Sequence, residues 1–115
     1  MSDIKKVFIS NTVRELGENA FCGCEKLHEV IFEPGSQVET IGESCFSNCD
    51  LREMTVPKSV RSIGDFAFGY CCNLRSLTFK EGSQLIHVGK GIVYDTLLTE
   101  KDIKFPETAK FPGRE

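Results

Sequence analysis

Cysteine is the residue type here most able to do chemistry, and the chain holds six in 115 residues. The stretch Cys45-Phe46-Ser47-Asn48-Cys49 sets two thiols four positions apart, beside a hydroxyl and an amide. Thiols so placed could ligate zinc, form half of a disulfide or act as a nucleophile. The zinc reading fails on spacing. Cys22-x-Cys24, Cys45-x3-Cys49 and Cys71-Cys72 all lack the two-residue spacer of structural zinc sites, and such sites need four convergent ligands. A thiol nucleophile needs an adjacent base, and His28 and His87 fall at different places in the pattern described next. There is no P-loop, GxGxxG or HExxH motif. The expectation is a protein that is not an enzyme, with no catalytic residues, metal ligands or cofactor.

The pattern is an internal repeat. Gly17, Gly42, Gly64 and Gly89 follow one another at steps of 25, 22 and 25 residues. Four positions after each glycine come Phe21, Phe46, Phe68 and Val93, and three further on Cys24, Cys49, Cys71 and Thr96. An apolar run follows: Leu27-x-x-Val30-x-Phe32, Leu51-x-x-Met54-x-Val56 and Leu74-x-x-Leu77-x-Phe79. Ile4-x-x-Val7-x-Ile9 is an orphan copy of that run, and Ile103-x-Phe105 a worn one with Glu100 in the leucine slot. The turns after the runs alternate between short (10–12, 57–59, 106–108) and long (33–37, 80–84), so the larger unit is 47 residues. Repeats begin near residues 13, 38, 60 and 85 of a single domain spanning 1–115, with 1–12 an orphan first strand and 97–115 a degenerate C-terminal cap and tail.

The repeat explains the cysteines. Cys24, Cys49 and Cys71 share one position and read as a buried ladder, because a free cysteine behaves as a small apolar residue with a weak S–H donor. Cys45 takes the slot of Ala20 and Ala67 and reads as core, whereas Cys22 and Cys72 break the pattern and should lie nearer solvent. Disulfides within the ladder are disfavoured, since stacked residues have parallel Cβ vectors.

A period of 22 to 25 residues carrying L-x-x-V-x-F fits a leucine-rich-repeat solenoid. The expected fold is an α/β-type repeat: a short parallel β-sheet, helical or 3₁₀ turns over stretches such as 17–24, and small strands on the opposite side. Strands are predicted near 4–9, 27–32, 51–56, 74–79 and 102–105, with Pro34, Pro57 and Pro106 at strand ends, where a missing N–H is tolerated. The glycine column predicts tight turns or close backbone approach. From about residue 4 to 109, the pattern V-x-x-I-G-x-x-A-F-x-x-C-x-x-L-x-x-[VLM]-x-[FV] resembles the BspA-like (LRR_5) class of leucine-rich repeats. That resemblance implies adhesion or protein–protein interaction, and no enzyme activity.

Function should then reside in the variable, exposed strand positions. Lys5, His28, Arg52, Arg75 and Lys101 form a basic column beside Lys6, Glu29, Glu53, Ser76 and Asp102. Phe8 and Ile31 are apolar at an outward position, so the expected partner-binding residues are Phe8, Ile31, His28, Glu29, Arg52, Glu53 and Arg75. A protein partner on the sheet face is the first expectation. The second is a structural, assembly or adhesion element that self-associates weakly through the open N-terminal edge strand. A net charge of −3 and the acids interrupting the basic column argue against nucleic acid. No apolar run is long enough for membrane insertion. MSDIKKVFIS has no apolar signal region, which favours an intracellular setting with free thiols.

Overall fold

The computed structural model describes residues 3–111; the end of the expected tail, 112–115, and the first two residues lie outside the described residues. Eight strands form in the order β1 (Lys6–Ile9), β2 (Glu15–Leu16), β3 (Glu29–Phe32), β4 (Thr40–Ile41), β5 (Glu53–Val56), β6 (Ser62–Ile63), β7 (Ser76–Phe79) and β8 (His87–Val88). All pairings are parallel. Each coil of the chain thus places a four-residue strand on a front face and a two-residue strand on a back face. The front strands start two residues later than predicted. Leu27 and Leu74 are still closing the preceding turn, their N–H groups bonded to Cys24 O and Cys71 O at 2.9 Å.

The stretches equivalent to 17–24 are not helical. Each holds two residues with left-handed backbone, Asn19 and Gly23 in the first coil and Ser44 and Asn48 in the second. That conformation breaks a right-handed helix at every fourth residue. The result is a run of tight turns whose alternate N–H groups point at the next coil: Asn19, Phe21 and Gly23 donate to Glu43 O, Cys45 O and Ser47 O. Between the faces, side chains stack in columns. Phe21, Phe46 and Phe68 lie nearly parallel, with ring centroids 5.4 and 5.7 Å apart. Burial weakens towards the N-terminal end. Ala20 is exposed whereas Cys45, Ala67 and Ile92 in its column are buried, because no coil stacks on the first one. The opposite end is covered by Ile103, Phe105 and Phe111.

The back strands form one continuous sheet, β2-β4-β6-β8. The front strands do not, which corrects the expectation of a single front sheet. They form two pairs, β1-β3 and β5-β7. Within a pair, the ladder is closed at its far end by Glu33 N–H to Ile9 O (2.9 Å) and Lys80 N–H to Val56 O (3.2 Å). The residue that would make this bond from β5 to β3 is Pro57, which has no N–H to give. Only one bond, Asp50 N–H to Leu27 O (2.9 Å), joins the start of β5 to the coil before it. The seam recurs one 47-residue unit later: Leu97 N–H reaches Leu74 O at 3.1 Å, and Pro106 then stands where a donor to Phe79 O is needed.

The strand expected near 102–105 is consequently absent. Glu100–Asp102 form a 3₁₀ turn instead. The Asp102 carboxylate accepts from Thr99 N–H (2.9 Å) and Thr99 Oγ1 (3.2 Å), which fixes the turn locally. This turn is the one helical element among the described residues, so the repeat is all-β with tight turns rather than α/β.

Candidate protein-interaction site

The seam between β3 and β5 opens a groove of about 890 Å³ on the front face. Five of the residues expected to bind a partner line it: His28, Glu29, Arg52, Glu53 and Arg75. The other two lie on the neighbouring strand pair. Phe8 is 73% exposed, and its register partner Ile31 is half-buried. Sequence reasoning missed the floor and the far rim of the groove. Val30 and Phe32 are half-buried there although their equivalents Met54 and Val56 are fully inside. Lys58 and Lys80 stand at the end where the seam is widest open. Pro57 and Pro106 were the available signal, because only they delete a ladder donor.

Charges around the groove are loosely paired. Lys6 meets Glu29 at 3.4 Å, Arg52 meets Asp50 at 3.4 Å and Arg75 meets Glu53 at 3.9 Å. Exposed pairs of this kind contribute only about 0–1 kcal/mol each, so these side chains are free to exchange partners. Lys58 and Lys80 make no ion pair among the described residues.

The cysteines divide into four buried (Cys24, Cys45, Cys49, Cys71) and two exposed (Cys22, Cys72), all as free thiols. The ladder thiols are donors: Cys49 Sγ reaches Phe21 O and Cys71 Sγ reaches Phe46 O, both at 3.1 Å. Among the described residues no group of three His, Cys, Asp or Glu side chains is placed to hold a metal ion. Burial pushes the Cys45 thiol up to about 12 and Cys71 up to about 11, and Cys49 is raised as well. These groups therefore hold their proton when folded, whereas in the unfolded chain they ionise near the ordinary 9.0. Their contribution to stability is complete below about pH 9 and is lost as pH rises towards 11, at up to roughly 1.4 kcal/mol per pH unit for each thiol. Cys45→Ala removes one such group and matches Ala67 in its column. Urea unfolding at pH 7.5 and 10.5, under reductant, should show the variant losing about a third less stability over that interval. Equal losses would show that Cys45 ionises alike in both states.

A parallel β-coil solenoid with a phenylalanine stack, a thiol ladder and no catalytic constellation among its described residues is a leucine-rich-repeat architecture. The chain belongs to the family described as BspA type leucine rich repeat region, whose profile matches residues 1–113 in six copies. Among solved structures, the chain resembles the pneumococcal vaccine antigen PcpA, with 27% identity and a TM-score of 0.76 over 80% of this chain and 22% of that one. It also resembles a leucine rich cell surface protein of Faecalibacterium prausnitzii, with 26% identity and a TM-score of 0.53 over 84% of this chain and 32% of that one. The chain thus spans less than a third of the first and about a third of the second. No curated protein sequence matches it. No helix among the described residues is long and apolar enough to cross a membrane.

Proposed function

We propose that the protein is a non-enzymatic interaction module that binds a protein partner through its front face. The observation that carries this reading is Phe8, which stands 73% exposed at an outward strand position, in register with Ile31 and one strand away from a groove with a charged rim. Protein interfaces favour an aromatic or apolar centre with a polar rim and are enriched in Arg. Arg52 and Arg75 supply such a rim here. Both structural relatives are a surface protein or a vaccine antigen by description, which supports a role in contacts with other molecules.

The test is the double variant Phe8→Ala, Ile31→Ser, assayed by capture of partners from the source cells. Capture should fall at least tenfold, about 1.4 kcal/mol, with the thermal midpoint nearly unchanged. A collapse of stability would place both side chains in the core and overturn the reading. A second reading, self-association through the uncovered N-terminal end, is supported by the exposure of Ala20 at the head of an otherwise buried column. Light scattering across a concentration range decides it, a strict monomer being the contrary result.

A further inference from the structure

We propose that the seam between β3 and β5 receives an extended peptide segment with an acidic carboxyl end, added as a parallel strand. The inference rests on the reading that the front face is the binding surface. In a parallel sheet each strand uses its backbone groups alternately for its two neighbours. β3 is bonded on its β1 side and β5 on its β7 side, so the two edges that face each other across the seam keep donors and acceptors without a ladder. Unpaired edges of this kind are templates for an incoming strand. A polypeptide backbone, repeating about every 3.3 Å, is the ligand whose spacing matches two such edges at once.

The shape and charge of the seam set the direction. It is pinned at its start by the Asp50–Leu27 bond and has no equivalent closure at Pro57. An entering strand therefore comes in from the Pro57 end. Running parallel to β3 and β5, it brings its carboxyl end beside Lys58 and Lys80, two ammonium groups that make no ion pair among the described residues. An antiparallel strand would bring an amino end there instead. On the inner side, apolar side chains reach the half-buried Val30 and Phe32. The second seam is already plugged: Phe105 packs on Phe79 at 5.5 Å and Phe111 on Phe105 at 4.8 Å. At the first seam no aromatic ring fills the corresponding place against Phe32, whose equivalent across the seam is Val56.

The probe is the chain's own strand sequence from 73 to 80 with its last residue changed from Lys to Glu, NLRSLTFE, titrated calorimetrically into the whole protein. A control peptide, NLRPLPFE, removes two alternate N–H donors. NLRSLTFE should bind and slow amide exchange along Glu29–Phe32 and Glu53–Val56. The control should not bind, and the exposed double change Lys58→Glu, Lys80→Glu should weaken binding about tenfold. The proposal is overturned by absence of binding at about 1 mM peptide. It is equally overturned if the proline control binds as well, or if binding is indifferent to the two lysines. If the peptide fails while Phe8→Ala, Ile31→Ser still abolishes partner capture, the seam proposal alone falls.

Discussion

Gly64→Ala should destabilise the protein by about 3 kcal/mol, while Gly17→Ala, at the same repeat position, should leave it unchanged or slightly more stable. A Cβ on Gly64 would lie 2.5 Å from Glu43 N and 2.8 Å from the Gly42 carbonyl carbon. Both are backbone atoms of the preceding coil, so neither can rotate away. The coil would have to lift, stretching Gly64 N–H from Ile41 O, a bond of 2.8 Å that holds the back sheet together. Gly17 heads its column, and a Cβ there meets nothing within 4 Å. Its φ is not in the left-handed region. Alanine at that position only narrows the unfolded ensemble, a gain of about 0.4–1 kcal/mol. Urea unfolding of both variants measures the contrast. Equal effects would mean that the glycine column serves turn conformation and not close approach.

Phe46→Ala should cost about 3–5 kcal/mol and lower the thermal midpoint by more than about 10 °C. Phe46 is wholly buried between Phe21 and Phe68, and its own carbonyl receives the Cys71 thiol. Removing the ring leaves a cavity in the middle of a stack, with coils tied above and below so that collapse is limited. Phe21→Ala should cost clearly less, because that ring is half-buried at the open end. Calorimetric unfolding of the two variants checks the order. A smaller loss at Phe46 than at Phe21 would show that the stack does not carry the core.

The solenoid was legible because its columns are one-dimensional: a phenylalanine, a thiol and a glycine recur at fixed steps, and each recurrence reports the same inward direction. The alternation of turn lengths also showed a 47-residue unit in the sequence. Its consequence for the front sheet was not drawn. The prolines at 57 and 106 were read as tolerated at strand ends, whereas each removes the hydrogen bond that would join one unit to the next. The missing strand at 102–105 has the same origin. Of the candidate site, the charged rim was readable because it is periodic. Lys58 and Lys80 were not, because they sit in turns where no column marks them, and the exposure of Val30 and Phe32 depends on a seam that apolar periodicity cannot reveal.

The functional account rests on the front sheet being open between β3 and β5, and residue-resolved amide exchange measures this directly. With the seam open, the amides of Gly42, Gly64 and Gly89, bonded at 2.8 Å in the continuous back sheet, are protected. Along Glu53–Val56 only alternate amides are protected, those bonded to β7, and the ones facing β3 exchange at close to unprotected rates. Uniform protection of all the amides from Glu53 to Val56 would mean a continuous front sheet, and would contradict the groove and the binding face built on it.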